Sequence, residues 1–310
     1  MAQLVKLYDY VSRYESNPFH YPTQFIRLKQ ENWQQLEDVW RKEQEEVAMN
    51  RAPIEKEEIK KQRLFDFFSK KGDDSFPDDT FPSPSLPSSK KELVQYFLDQ
   101  LLPFQYKWAT STISHVSYTD SKYMSDDMLT YFLQRFPDIY LLMYYPIFSI
   151  KNAPVDGEII MISPVSIEII YVVQGIQDAS IIVSENRSWT VETSSQPTSM
   201  LSPVISLRRT EQIIQSILQV HHIDFPIQKV ILSEENDFLY HTEPYQTKVI
   251  GKNQYKEWFL NKRKLQSPLK SIQLKVMEAL LHHCHSTSVR RPEWKQNDDL
   301  YPTIDSLKDK

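Results

Sequence analysis

Glycine is scarce in this chain: its 310 residues hold four. Neither G-x-x-x-x-G-K-[ST] nor G-x-G-x-x-G occurs, which excludes the phosphate loops that nucleotide-binding domains build from closely spaced glycines. The lone cysteine, Cys284, rules out an intramolecular disulfide and any C-x-x-C site, and suits a reducing compartment. No apolar run reaches the ~20 residues that span a bilayer. The longest approach, Ile159–Val173, is interrupted by Pro164 and Glu168. The opening MAQLVKLYDYVSRYE is charged and lacks the apolar stretch of a signal peptide, so a soluble, cytoplasmic protein with no membrane partner is expected. A G-x-S-x-G elbow is missing too, and Cys284 has no glycine-flanked nucleophile context, which argues against a serine or cysteine hydrolase. With a net charge of −5 and a pI near 5.9, the chain as a whole does not attract nucleic acid or anionic lipid. A local basic patch would have to do that.

What the chain does have is apolar and aromatic material, at 40% and 12% of residues, enough for a substantial core. It is densest in Pro154–Gly175, PVDGEIIMISPVSIEIIYVVQG. The β-branched and aromatic runs Glu158–Ser163 and Ile167–Val173, each bounded by proline, glycine or serine, predict two buried strands joined at Pro164. Asp156 and Glu158 stand two residues apart. On one extended strand both carboxylates would point to one side, the arrangement in which a sheet offers hard oxygen ligands to a divalent ion.

Around this hairpin the pattern divides the chain into four parts. Residues 1–71 read as charged and helical. Leu4, Leu7, Tyr8 and Val11 suggest a first amphipathic helix. Phe25, Leu28, Trp33, Leu36 and Trp40 stripe a second between Pro22 and Ala48, and a third covers Ile54–Phe68. Such a region either packs on the main domain or forms an arm that holds a partner or a second copy of the chain. Residues 72–89, rich in proline, serine and aspartate, read as a linker. Residues 90–260 form the core. It begins with a helix over Lys90–Leu102 that Pro103 ends or kinks, and Phe104–Ser114 reads as a second helical piece. A helix capped by Ser125-Asp126-Asp127 follows, then a strand over Ile139–Ile150 with Pro146 as a break. After the hairpin come strands at Ala179–Ser184 and Ser188–Thr193, a helix from Pro203 to about Val220, and strands at Ile227–Leu232 and Thr247–Ile250. A closing helix begins at Tyr255–Leu260. Residues 261–310 add the helix Ser271–His283 and a polar tail.

The hairpin and the order around it resemble the nuclease-related domain (NERD) family, bacterial relatives of the restriction-endonuclease-like nucleases. In that family an acid opens one strand and the next strand ends in Glu-x-Lys. More sheet follows, then a helix opened by a small residue and proline, then a strand. Glu158 falls on the family's metal-binding acid, Ser202-Pro203-Val204 on the helix start, and Pro226–Leu232 on the later strand. The resemblance covers about residues 125–260 and implies an α/β (α+β) fold, with a restriction-endonuclease-like mixed sheet flanked by helices and a helical N-terminal extension. It also puts Tyr171 at the family's second acid and Val173 at its lysine. A phenol is neutral at pH 7 and an isopropyl group has no polar atom, so the catalytic signature is degenerate.

The resemblance therefore implies a catalytically silent scaffold that binds protein or nucleic acid, with Asp156 and Glu158 as vestigial catalytic acids and no cofactor. The alternative is a divalent-metal nuclease with a rearranged site, Mg²⁺ or Mn²⁺ being held by Asp156, Glu158 and an acid from the early helix, Asp126 or Asp127, with Asp127 taken as the third ligand. Three further features remain. Glu168 lies three residues from Tyr171 and so faces away from it. His282 and His285, at helical i,i+3 spacing in His282-His283-Cys284-His285, could share Zn²⁺ or Ni²⁺, or simply cap a helix end. Lys252, Lys256, Lys262, Arg263, Lys264 and Lys270 surround Tyr255, Trp258 and Phe259, which suits single-stranded nucleic acid or an ordinary amphipathic helix.

Overall fold

The computed structural model describes residues 1–49, 86–151, 153–174, 179–193, 196–240 and 243–291. The expected helix at Ile54–Phe68, most of the linker and the polar tail lie outside the described residues. The architecture is mixed α/β, with seven α-helices among the described residues and a six-stranded mixed sheet at the centre.

That sheet runs β1 (Gln3–Leu7), β3 (Leu141–Tyr144), β6 (Ile159–Ile162), β7 (Ile167–Val172), β11 (Ile227–Leu232) and β13 (Thr247–Ile250), neighbours in that order. The hairpin of β6 and β7 is its middle: antiparallel, with Ile159 opposite Ile170 and Ile162 opposite Ile167. Ile159, Ile160, Ile162, Ile167, Ile169 and Ile170 are all fully buried. Burial of each such side chain contributes about 1.5–3 kcal/mol, so this stretch anchors the fold. β7 pairs in parallel with β11, β11 with β13, and β1 with β3, so β6 alone runs against the other five.

One expectation fails at the N-terminus. Leu4 and Leu7 lie on a strand, β1, not on a helix. All five of its residues are buried, so the strand has no polar side and no period-two alternation to betray it. Even Lys6 is enclosed, its ammonium donating to the Tyr10 carbonyl at 2.8 Å and to Glu15 at 2.7 Å. The open edge of β1 is closed by a side chain: Leu4 N–H donates to Gln105 Oε1 at 2.7 Å, and Gln105 Nε2 donates to the Ala2 carbonyl at 2.8 Å. This blunts an edge that would otherwise pair with another chain.

Gln105 belongs to α3 (Lys90–Thr110), which runs through Pro103 without ending. Leu101 and Phe104, on either side of the proline, are each 1% exposed, and their burial offsets the cost of the missing N–H. Before α3 come the short α1 (Arg13–Ser16) and the long α2 (His20–Met49). The stripe foreseen on α2 turns inward. Phe25 and Leu36 are buried, Trp33 meets Phe97 of α3 at 5.3 Å between ring centroids, and the Trp40 indole N–H donates to the Pro87 carbonyl. This apolar stripe packs on the chain's own residues, with Trp33 and Trp40 half-buried.

Helices α5 (Pro203–Val220) and α7 (Ser271–His282) cover one face of the sheet. Helices α4 (Asp127–Arg135) and α6 (Lys252–Lys264) cover the other, and α3 contributes to both cores. The strand expected over Ile139–Ile150 is broken at Tyr145-Pro146 into β3 and β4 (Ile147–Ile150). β4 leaves the sheet to pair with β5 (Ala153–Asp156) in a separate ribbon. A four-stranded sheet, ordered β10 (Thr198–Leu201), β9 (Ser188–Glu192), β8 (Ser180–Ile182) and β12 (Asp237–Leu239), packs beside α5 through Trp189 and Phe238. The short β2 (His115–Val116) and β14 (Val289–Arg290) pair in a ribbon of their own.

Candidate functional site

The ladder register puts several chemically active side chains on one end of the central sheet. Ile159 pairs with Ile170, so one step further Glu158 opposes Tyr171. Met143 pairs with Ile160, which brings the residue after β3, Tyr145, to the same level. Leu7 pairs with Tyr144, and Tyr8 N–H donates to the Tyr144 carbonyl at 3.0 Å, so Tyr8 is next in line. Tyr8, Tyr145, Glu158 and Tyr171 thus form a row at the carboxyl ends of β1, β3 and β7, where open α/β sheets present their ligand sites. Tyr8 and Tyr145 have φ of 49° and 46°. Non-glycine residues held in this left-handed region carry about 1–3 kcal/mol of strain and cluster at functional sites.

Electrostatics supports the convergence. Burial raises the Tyr145 phenol well above its ordinary value, and the charges of Glu158, Asp126 and Tyr171 push it further. Tyr171 is raised by burial and then by Glu158. Glu158, 9% exposed, has its carboxyl pushed above the ordinary range by burial and by nearby Asp156. Hydrogen bonding to Ser206 and the positive charge of Arg209, both on α5, partly offset this. Arg209 also donates to the Asp156 carbonyl at 3.1 Å.

Asp156 and Glu158 do not share a strand, contrary to expectation. Asp156 ends the β4–β5 ribbon and is exposed, whereas Glu158 precedes β6 and is buried. Gly157 makes the turn between them. A Cβ there would come within 2.9 Å of the Phe148 ring and 3.0 Å of the Pro146 carbonyl oxygen, so any larger residue would force its surroundings to shift. Lys151, the nearest lysine before the hairpin, sits exposed beyond β4 with φ 48°. The third proposed ligand changes as well. Asp127 is exposed in the first turn of α4, and it is Asp126 that faces the row. The carboxylate of Asp126 is committed on both oxygens, Oδ1 accepting from Leu129 N–H at 2.9 Å and Oδ2 from the Tyr144 hydroxyl at 2.7 Å. Among the described residues no group of three or more His, Cys, Asp or Glu is arranged to hold a metal ion. Asp156, Glu158 and Asp127 do not come together as a ligand set.

Val173 is 6% exposed, lies in the core under α5, and donates its N–H to the Leu232 carbonyl at 2.9 Å. Glu168 does face away from Tyr171, as the alternation requires: it pairs with Lys262 of α6 on the opposite face. That pairing also consumes one of the basic residues proposed for nucleic acid. Trp258 is buried, and Tyr255 and Phe259 pack on the same core, so these aromatics belong to an amphipathic helix. His282 and His285 do not share a helix face, because α7 ends at His282 and His285 N–H donates to the Ile147 carbonyl at 2.7 Å.

A second concavity went unforeseen. A cleft of about 1110 Å³ opens beside the amino ends of β11 and β13, lined by Glu211, Gln215, His222, Lys229, Tyr245 and Lys248 among others. It includes none of the row residues. At its wall Lys229, 2% exposed, donates to both oxygens of Glu211 at 2.6 Å. These charges are spent on each other, so the acid–tyrosine row remains the candidate site.

No protein-family model matches the chain, and no solved structure matches it. An RNA 2',3'-cyclic phosphodiesterase from Geobacillus stearothermophilus is 47% identical over 55 residues, 18% of this chain. The chain spans 18% of that relative's length. No helix among the described residues is long and apolar enough to cross a membrane.

Proposed function

We propose that the protein is a nuclease-related scaffold, restriction-endonuclease-like in its core, that has lost metal-dependent hydrolysis and serves as a binding module for a protein or nucleic-acid partner. The fold part of this reading is supported by the order of elements: an early helix, α4, then β3, β6 and β7, a small second sheet, α5 opened by Ser202-Pro203, and β11. That order resembles the one the likeness to the NERD family led us to expect, around a mixed sheet covered by helices on both faces.

The observation that carries the functional part is what surrounds Glu158. A hydrolytic site of this kind needs at least two acids on a divalent ion and a lysine beside the attacked phosphate. Here the cross-strand neighbour is the phenol of Tyr171, the lysine position is a buried valine, and the nearby positive charge comes from Arg209. A carboxyl made harder to ionise by burial is also a weaker metal ligand. The short match to an RNA cyclic phosphodiesterase favours nucleic acid over protein as the first partner to test.

The test is incubation of the purified protein with single- and double-stranded DNA and RNA in Mg²⁺ or Mn²⁺. Intact substrate, together with salt-dependent retention on one of these nucleic acids, is the expected result. Cleavage that disappears in Asp156→Ala and Glu158→Ala would establish the alternative, a metal-dependent nuclease with a rearranged site.

A further inference from the structure

We propose that His221 and His283 together bind one borderline transition-metal ion, for which Zn²⁺ is the probe. The pair lies apart from the acid–tyrosine row. His221 caps the C-terminus of α5 and His283 caps that of α7, two helices that share the core on one face of the sheet. Their imidazole centroids are 5.3 Å apart, with ring planes at 88°.

Three observations support coordination. The first is the separation itself. Imidazole nitrogens lie ~2.0–2.1 Å from Zn²⁺, the ring centre is about 1.1 Å beyond, and a tetrahedral angle of about 109° then sets the two centroids about 5.2 Å apart. The rings already stand at the spacing of two ligands on one ion. The second is the tautomer. His283 Nδ1 lies 2.9 Å from the Ala279 carbonyl oxygen, which can only accept, so Nδ1 carries the hydrogen and in the neutral ring Nε2 is the nitrogen with the lone pair. A backbone carbonyl holding the far nitrogen is the usual support of a metal-bound histidine. The third is the setting, since both rings stand at helix C-termini, whose partial negative charge favours a cation.

Among the described residues no third His, Cys, Asp or Glu completes the set, so water fills the remaining positions. The site is open, and its affinity should be of micromolar order, far weaker than that of a four-ligand structural zinc site. Sequence spacing had pointed to His282 with His285. The fold separates those two and joins a different pair, one residue from each of two distant segments.

The test is calorimetric titration of Zn²⁺ into the untagged 310-residue chain, with melting curves recorded in parallel. A single ion per chain and a higher Tm at saturation are expected. His221→Gln and His283→Gln should each weaken binding by about tenfold or more, and His282→Gln and His285→Gln should leave it unchanged. His221→Phe keeps an aromatic ring at the contact but removes the ligand, so its metal-free Tm should stay near that of the parent while the Zn²⁺-induced rise is lost. No uptake at about 100 micromolar Zn²⁺ would overturn the proposal. So would uptake that survives both His221→Gln and His283→Gln, follows His282 or His285, or persists in His221→Phe.

Discussion

The two glutamates of the central hairpin occupy opposite faces of one sheet and have opposite fates. Glu168 is 4% exposed on its side chain and has its own lysine, Lys262, reaching in from α6. Glu158 is about as deeply placed but has no lysine. Its neighbours are a serine, an exposed arginine and two phenols, and burial dominates its titration. An acid matched by a dedicated cation is part of the framework. An acid whose charge is only partly compensated, at the end of a sheet and beside the strained Tyr145, stands where a framework would be served by an apolar residue. That contrast separates structure from candidate function within a single hairpin.

The largest effect should come from breaking the matched side. Lys262→Ala leaves Glu168 buried and uncompensated, and should cost about 3–5 kcal/mol in urea unfolding. Arg209→Ala on the other side, removing an exposed partner, should cost under about 1 kcal/mol by the same measurement. Equal losses would erase the distinction drawn here. Next in size is Val173→Lys, which puts a lysine where the proposed kinship would have one. The ammonium would enter the apolar core under α5, and a loss of about 3 kcal/mol with no gain of Mg²⁺-dependent cleavage is expected. A stable variant that cuts nucleic acid would mean that the site lacks only its lysine.

Gly157→Ala should follow, at about 1–3 kcal/mol, because the added methyl meets the Phe148 ring and a backbone oxygen. The Glu168 face should be unaffected, which amide exchange along β7 can check.

Glu158→Gln is the subtlest change and reads by pH. The folded carboxyl holds its proton more tightly than the unfolded one, whose ordinary value is 4.5. The native state therefore binds more protons in the window above that value, and the parent loses stability as pH rises through it. The variant has no such loss. It should melt above the parent at pH 7, and this advantage should vanish below the unfolded carboxyl's range. A variant that is less stable than the parent at pH 7 would mean that the Ser206 and Arg209 contacts outweigh burial.

Much of this architecture was legible from residue patterns. The hairpin strands, Ile227–Leu232 and Thr247–Ile250 are short runs rich in isoleucine and valine, and α5 begins at its proline and runs to Val220 as expected. Ser125-Asp126-Asp127 marked a real helix start, though the cap is Asp126 and the carboxylate facing the row is also Asp126, not Asp127. Other elements carried no such signal. β1 is buried on both faces, so five residues including a lysine read equally well as a helix turn. Pro103 looked like a terminator because a sequence does not reveal that residues on both sides of it will be buried. The candidate site was half visible. Asp156 and Glu158 came from the spacing in the hairpin and Tyr171 and Val173 from the resemblance; only Glu158 and Tyr171 of these lie in the row, which Tyr8 and Tyr145 join through strand register. The pairing of His221 with His283 follows from two helices ending side by side.

By itself, the sequence determined the apolar hairpin, the phenol of Tyr171 and the isopropyl group of Val173 within it, and the exclusion of disulfide and phosphate-loop chemistry, because these depend on residue identity and on spacing within a few positions. Tertiary structure alone decided which acid is matched, which faces a rim of phenols, and which imidazoles meet. Those outcomes depend on packing between segments far apart in the chain, and local periodicity carries no record of it.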